Sequence, residues 1–358
     1  MYRNTKNVPY YVFGRGSLAQ LGDLLKPRRE AVDGPVVYFV DHFFRDHELI
    51  GRLPMEKGDQ LHFVASSSEP EVTRIDAFKA AVSADDSSTP CCVVGIGGGN
   101  ALDTAKAVAN LLTNPGKAED YQGWELVKNP AVYKIGIPTL SGTGSECSRT
   151  CVLTNIPKNL KLGMNSDYTV YDQLLLDPDL LATVPRDQYF YTGIDTFMHC
   201  VESLQGSYRN AIIDAFSVRA VQLCEEIFLS DDMMSEENRE KMMIASYIGG
   251  MAAGNVGVIH PFSAGLGVVL HVAHGLGNCL ALNVLGDIYP KEYKQFRTMI
   301  ERQGVNLPTG ICKDLTEEQY EGLYRGCIVH EKPLTNALGP DFKQILTKEN
   351  LIERYKSI

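Results

Sequence analysis

Cys91-Cys92-Val93-Val94-Gly95-Ile96-Gly97-Gly98-Gly99-Asn100-Ala101-Leu102-Asp103-Thr104-Ala105-Lys106 passes from an apolar run through three glycines into a helix-forming stretch that extends to Leu112. The apolar run reads as a buried strand and the rest as the start of a helix. Strand, glycine turn and helix N-terminus together form a cradle for a pyrophosphate. Bare backbone N–H groups and the positive end of the helix dipole meet the anion there. The usual dinucleotide fingerprint is not reproduced, because Asn100 stands where the third glycine of G-x-G-x-x-G would fall. A tight turn without a ligand is the alternative reading.

Around this segment strand and helix signals alternate. Pro35 to Val40 is an apolar run ending in Asp41, and Gln60 to Ala65 is another. Val72 to Val82 reads as a helix, closed by the loop Ser83 to Pro90. Downstream, Ile135-Gly136-Ile137-Pro138 reads as a strand entering the loop Thr139-Leu140-Ser141-Gly142-Thr143-Gly144-Ser145-Glu146. Small hydroxyl residues and glycines in that loop let a nicotinamide and its ribose approach the backbone; a flexible Ser/Gly loop is the plainer alternative. Such alternation implies a parallel sheet with crossover helices, an α/β dinucleotide-binding domain over residues 1–180. From Pro185 onward long helices follow one another, such as Asn210 to Leu229 and Glu236 to Ala253. Residues 181–358 are therefore expected to form an all-α domain, with a pocket in the cleft between the halves.

The helical half carries the second constellation. In Gly193-Ile194-Asp195-Thr196-Phe197-Met198-His199, Asp195 and His199 stand at i and i+4, on one helix face. His260 and His274 follow. One carboxylate and three imidazoles make a complete ligand set for a divalent metal, Fe2+ or Zn2+. Taken singly, an Asp/His pair at this spacing can be a surface hydrogen bond, and a histidine in an apolar run can be a satisfied core residue.

Composition bounds the partners. The chain has 358 residues, 44% hydrophobic and 22% charged, normal for a soluble globular protein. The formal net charge of −10 argues against a nucleic-acid or anionic-membrane surface. No apolar run approaches the ~20 residues of a membrane span. Met1 to Lys6 leads into no apolar stretch of signal-peptide type. The nine cysteines show no C-x-x-C spacing, which suits reduced thiols in a cytoplasm.

These elements, in this order, resemble the iron-containing (group III) metal-dependent alcohol dehydrogenases. The matching residues are Gly97-Gly98-Gly99-Asn100 with Asp103 and Lys106, Pro138-Thr139, and Gly142-Thr143-Gly144-Ser145-Glu146. Lys161-Leu162-Gly163, Asp177-Pro178, Gly193-Ile194-Asp195, His199, His260 and His274-Gly275 complete them. The resemblance implies a dehydroquinate synthase-like fold and oxidation of a primary alcohol to an aldehyde, with a nicotinamide cofactor and a bound metal. It also implies a small-molecule substrate and a homodimer. Cofactor contacts are expected from Asp41, Gly97, Gly98, Gly99, Asn100, Asp103, Thr139, Ser141, Thr143, Ser145 and Lys161. Asp41 matches the nucleotide-specificity position: a carboxylate there accepts from ribose hydroxyls and repels a 2′-phosphate, favouring NAD over NADP. Arg45 leaves NADP open, and Asp41 could instead cap a helix over His42 to Glu48.

A narrower resemblance covers His199 to Ala211 and His274-Gly275-Leu276-Gly277-Asn278-Cys279, followed by Tyr289-Pro290. These look like the branch that oxidises C8 of 3-deoxy-manno-octulosonate (Kdo), en route to an 8-amino sugar of lipopolysaccharide. Arg209 is then the candidate partner of the substrate carboxylate; a structural salt bridge is its alternative. Many family members carry a further histidine one turn after the third ligand. Here that position is Ala264, and His271 is the candidate substitute in the proton path. Pro261, directly after His260, suits the first turn of a helix. Two other readings stay open: a short-chain alcohol or glycerol-type dehydrogenase, and a dehydroquinate synthase-like lyase that uses its cofactor transiently.

Overall fold

The computed structural model describes residues 6–65, 69–84 and 89–358; Met1 to Thr5 and residues 85–88 of the Ser83–Pro90 loop lie outside the described residues. The chain divides into two compact units. The first comprises residues up to Leu140 with Ser145–Ile156 and Leu162–Ala182; the second comprises Ser141–Gly144, Pro157–Lys161 and Thr183–Ile358. Of the expected cofactor residues, Ser141, Thr143 and Lys161 therefore belong to the second unit and the rest to the first.

The first unit holds β1 (Tyr10–Phe13), β2 (Val36–Asp41), β3 (Gln60–Val64), β4 (Cys92–Gly97), β5 (Gly123–Trp124), β6 (Lys134–Pro138), β7 (Thr150–Asn155), β8 (Leu160–Asn165, of which the first two residues count with the second unit) and β9 (Gln173–Leu176). Six of them form one parallel sheet in the order β1-β9-β6-β4-β2-β3, and β5-β8-β7 form a small second sheet. Helices α1 (Leu21–Ala31), α2 (Glu48–Gly51), α3 (Val72–Val82) and α4 (Gly99–Leu111) accompany the sheet. Apolar clusters cover both sheet faces, so β2, β4 and β6 are buried along nearly their whole length. This is why their sequences read as continuous apolar runs rather than alternating ones. The expected β2, β3, α3 and β4–α4 segments are all present within a residue or two.

The register sets the chemistry of one sheet edge. Val40 pairs with Ile96, and Gly97 pairs with Pro138. Asp41, the glycine turn and Thr139 thus share the carboxyl end of the sheet. β3 and β4 lie on opposite sides of β2, so the winding reverses there, the place where such sheets bind ligands.

The second unit is helical: α5 (Arg186–Gln205), α6 (Ala211–Phe228), α7 (Glu236–Gly249), α8 (Ile259–Leu270), α9 (His274–Val284), α10 (Pro290–Gln303), α11 (Glu317–Ile328), α12 (Glu331–Leu338), α13 (Phe342–Ile345) and α14 (Lys348–Lys356). Asn210 caps α6 by accepting from Ile213 N–H, and Ser235 caps α7 by accepting from Asn238 N–H. The helix expected to reach Ala253 leaves α geometry at Gly249 and continues as a tighter 3-10 segment, Gly250–Asn255. Glycines at 249, 250 and 254 hold α geometry poorly. Among the described residues, no single helix is long and apolar enough to cross a membrane. The nine cysteines are buried thiols.

Gly95 lies at the centre of β4, where an added Cβ would stand 2.5 Å from the Tyr171 hydroxyl and 2.8 Å from Ala105 Cβ. Gly95→Ala should destabilise the fold by ~1–3 kcal/mol through overpacking, seen as a lower urea midpoint at unchanged slope. An unchanged midpoint would mean that the strand–helix contact is looser than described.

Candidate metal and nucleotide sites

In the first unit, α4 begins directly after the turn, with Gly98 as N-cap and Gly99 as its first residue. Gly97 has φ of 152°, and a Cβ there would stand 2.6 Å from Ala101 Cβ and 2.9 Å from Asp41 Cβ, so only glycine fits. The first-turn N–H groups of α4 have no intrahelical acceptors and point out of the sheet's carboxyl end. Asn100 donates to the Ala65 carbonyl at 2.6 Å, tying the turn to the end of β3. Thr139 N–H donates to the Gly97 carbonyl at 3.0 Å. Asp41 Oδ1 caps the short His42–Phe44 turn by accepting from Phe43 N–H, the capping reading of this residue, and its backbone adjoins Gly97. Arg45 lies over the Phe63 ring, 4.8 Å from its centroid.

Asp103 is held by partners within the unit. Its carboxylate accepts from Ser145 Oγ and, at 2.8 Å, from Val152 N–H, and pairs with Lys106 at 3.2 Å. Lys106, fully buried, also donates to the Ser145 and Thr150 carbonyls. Asp103 and Ser145 are therefore engaged with each other, and Asp103 positions the loop. A carboxylate facing a diphosphate would repel it, whereas buried beside Lys106 it is compensated.

In the second unit the four expected ligand residues converge. Asp195 and His199 lie on one face in the middle of α5; His260 lies in the first turn of α8 and His274 opens α9. Gly275 lets α9 seat against α5, since a Cβ there would stand 2.5 Å from the Tyr191 carbonyl. Pro261 occupies the first turn of α8, where it costs no helical hydrogen bond. Asp195 Oδ1 stands 3.1 Å from His260 Nε2 and 3.7 Å from His199 Nε2; Asp195 Oδ2 stands 3.4 Å from His274 Nε2. Donor atoms of Asp195, His260 and His274 fall within 4.8 Å of one another, and the His199 ring stacks on His260 at 4.5 Å.

The electrostatics of this cluster favour a cation. Burial alone would raise the Asp195 carboxyl, but the three imidazoles outweigh it and hold the group well below the usual carboxylate range. Burial would lower His260, yet Glu202 and Asp195 raise it to about 9. Burial pushes His199 down to about 4, keeping that ring neutral and able to donate a lone pair. Asp195 Oδ2 and His199 Nδ1 are buried without a hydrogen-bond partner among the described residues. Two carboxylates, three convergent imidazoles and unsatisfied buried donor atoms fit a divalent metal.

Two neighbours were not singled out as site residues from the sequence. Glu202, with a fully buried side chain, accepts from His260 Nδ1 at 2.5 Å and from Ile259 N–H at 2.6 Å, and Tyr289 O–H donates to it at 3.3 Å. It fixes the His260 ring so that Nε2 faces Asp195. The signal was available: Asp195, His199 and Glu202 stand at i, i+4 and i+7 on α5. Asn278, one turn after His274, donates to Asp195 Oδ1 at 2.7 Å and lies 3.4 Å from His260 Nε2 and 3.3 Å from His274 Nε2.

The remaining candidates fall elsewhere. Arg209 is half-exposed and engaged: its guanidinium pairs with Asp214 at 2.9 Å and donates to the Leu204 carbonyl at 2.7 Å, closing α5. The structural reading of Arg209 is the one observed. His271 is exposed, in the left-handed C-cap of α8 (φ 55°), outside the buried cluster. Gly142 N–H donates to Ser246 Oγ at 2.8 Å and its carbonyl accepts from Thr196 Oγ1 at 2.9 Å, which ties the Ser141–Gly144 loop to α7 and α5. Ser141 Oγ is buried without a hydrogen-bond partner among the described residues.

A parallel nucleotide-type sheet joined to a helical unit with an Asp-His-His-His cluster defines a metal-dependent oxidoreductase class. The chain belongs to the iron-containing alcohol dehydrogenase family: residues 9–178 match the model "Iron-containing alcohol dehydrogenase" and residues 189–322 match "Fe-containing alcohol dehydrogenase family, C-terminal". Sulfoacetaldehyde reductase of Bilophila wadsworthia is 38% identical over 190 residues, which are 51% of this chain and 49% of that one. The match thus spans about half the length of that relative. The NAD-dependent methanol dehydrogenase of Bacillus methanolicus is 29% identical over 283 residues, 75% of this chain and 71% of that one. The fold is shared with the Oenococcus oeni alcohol dehydrogenase (TM-score 0.83, 21% identity, 99% of both chains). It is also shared with the Bifidobacterium kashiwanohense sulfoacetaldehyde reductase (TM-score 0.79, 24% identity, 99% of this chain and 98% of that one).

His274→Ala should abolish stoichiometric metal binding, measured by elemental analysis after loading with Fe2+ or Zn2+. Glu202→Gln should retain the metal but weaken its affinity ~10–100-fold in chelator competition. Full metal content in His274→Ala would contradict the ligand assignment, and parental affinity in Glu202→Gln would remove its positioning role.

Proposed function

We propose that this protein interconverts a short primary alcohol and its aldehyde, using a nicotinamide cofactor and a metal held by Asp195, His199, His260 and His274. The convergence of these four buried side chains is the observation that carries the reading. When bound, the metal supplies the Lewis acidity that acidifies a substrate hydroxyl, and NAD supplies the hydride acceptor. The chain's own part is electrostatic and positional. Asp195 contributes the negative charge, Glu202 and Asn278 hold the ligand rings and carboxylate in place, and Asp103 with Lys106 fixes the loop that ends at Ser145. The glycine turn and the α4 N-terminus are proposed to receive the diphosphate, with Thr139, Thr143, Ser141 and Lys161 toward the ribose and nicotinamide. Asp41 at the sheet edge favours NAD over NADP, and Fe2+ is the family metal, with Zn2+ a competent alternative. A homodimer remains the proposed assembly: β1 is an edge strand that exposes Tyr10, Tyr11 and Phe13, which a second chain would cover.

For the substrate, relatives named for sulfoacetaldehyde and methanol favour a short chain. The second reading is Kdo oxidised at C8, supported by the His199 to Ala211 segment. It is weakened by Arg209, whose charge is taken by Asp214. A dehydroquinate synthase-like reaction would turn over without net NADH.

The metal-loaded protein should accumulate NADH, read at 340 nm, with at least one short alcohol in a panel that also contains Kdo and glycerol. Absence of NADH with every member would sink the reading. Arg209→Ala should affect sugar-acid and neutral alcohols equally and cost ~0.2–1 kcal/mol of stability, as an exposed ion pair does; selective loss on Kdo would restore the sugar-acid reading. Gly99→Val should raise the NAD Kd by ~10-fold or more, about 1.4 kcal/mol, in titration calorimetry. Unchanged NAD binding would move the diphosphate away from this turn.

A further inference from the structure

Oxidation of an alcohol R–CH2–OH by NAD+ gives R–CHO, NADH and one proton. The hydride carries both electrons to the cofactor, so the hydroxyl proton must leave by another route. Ala264, one turn after His260 on α8, has no group to take it, and His271 is exposed at the far end of that helix. Helix α11 supplies an alternative.

α11 runs antiparallel to α8 in close contact. A Cβ at Gly322 would stand 3.0 Å from Val269, and one at Gly326 would stand 2.9 Å from the Gly265 backbone. The two glycines are one turn apart, and so are their partners. The helical backbone of α11 continues through its C-cap Val329, so one further turn reaches His330. The same step back along α8 reaches Pro261 and His260. The register therefore brings His330 level with a metal-site residue.

The surroundings of His330 agree with that placement. Its Nε2 is buried without a hydrogen-bond partner among the described residues, while the residue as a whole is part-exposed. Burial, then the charges of Lys161 and His260, hold its pKa down to about 4. Lys161 Nζ in turn lies 3.9 Å from the Cβ position of Gly267, seven residues after His260 on α8. Lys161 and His260 are thus the charged and titratable groups that face the imidazole. Glu331, beside it on α12, pairs with Lys343, and Arg325 on α11 pairs with Glu321. The ring is neutral near pH 7, with one nitrogen sealed inside the protein.

We propose that His330 is the proton relay of the reaction, taking the substrate hydroxyl proton at Nε2, directly or through water, and releasing a proton to solvent from Nδ1. An imidazole with Nε2 sealed inside the protein, on a residue that is itself part-exposed, can take a proton at one ring nitrogen and give one up at the other without net change. His330 would then do the work for which Ala264 has no proton-carrying group. The proposal rests on the alcohol–aldehyde reading above.

The test uses His330→Gln and His330→Ala beside the parent, all metal-loaded. Metal content by elemental analysis and the NADH Kd by fluorescence titration should match the parent in both variants. kcat should fall about 100-fold, the usual scale for a lost acid–base group, with the pH profile of kcat altered in both. Added imidazole should restore activity to His330→Ala and leave the parent unchanged. Parental kcat and pH profile in His330→Gln would overturn the relay while leaving the oxidoreductase reading intact. So would loss of metal or of NADH binding together with activity, which marks a structural residue, or failure of imidazole to rescue His330→Ala. A parent that oxidises no alcohol in the panel would overturn the functional reading itself, and the relay with it.

Discussion

The constraint on which the second unit depends is the buried carboxylate of Asp195. A fully buried carboxylate is costly unless compensated, and here three imidazoles and the Asn278 amide surround it. That requirement explains several otherwise separate features. α8 and α9 both begin at the cluster, so their positive ends lie beside the negative charge. Gly275 permits the close approach that brings His274 within reach. Glu202 adds a second buried carboxylate, tolerable because His260, Ile259 N–H and Tyr289 all donate to it. The result is a site that holds negative charge in excess and draws a cation.

The first unit, as proposed, solves a complementary problem, that of receiving an anion in a protein of net charge −10. It does so locally. The glycine turn opens α4 at the carboxyl end of the sheet, and the buried carboxylate of Asp103 pairs with Lys106. Overall charge therefore says little about the ligand, whereas the direction of one helix says much.

Much of this was legible in the chain. Apolar runs flanked by glycine fixed the positions of β2, β4 and β6, because a parallel sheet covered on both faces admits few polar residues. The i,i+4 spacing of Asp195 and His199 survived into the structure because both lie mid-helix. What could not be read was commitment: sequence shows that Asp103 and Arg209 are charged, but only the fold shows that Lys106 and Asp214 already hold them. Glu202 stands outside the four-ligand set and acts only through His260, so only its position on the α5 face was visible in the sequence. His330 has no local signal, since its place depends on the register of α11 against α8. His271 looked apt from its nearness to His274 in sequence, but a left-handed C-cap turns it to solvent.

The central claim is that Asp195, His199, His260 and His274 bind one metal together. X-ray absorption at the zinc or iron edge of the loaded protein tests it most directly. The account predicts a shell of nitrogen and oxygen only, at about 2.0–2.2 Å for zinc, with the outer-shell scattering of three imidazoles. A sulfur contribution near 2.3 Å, or scattering from fewer than three imidazoles, would contradict it.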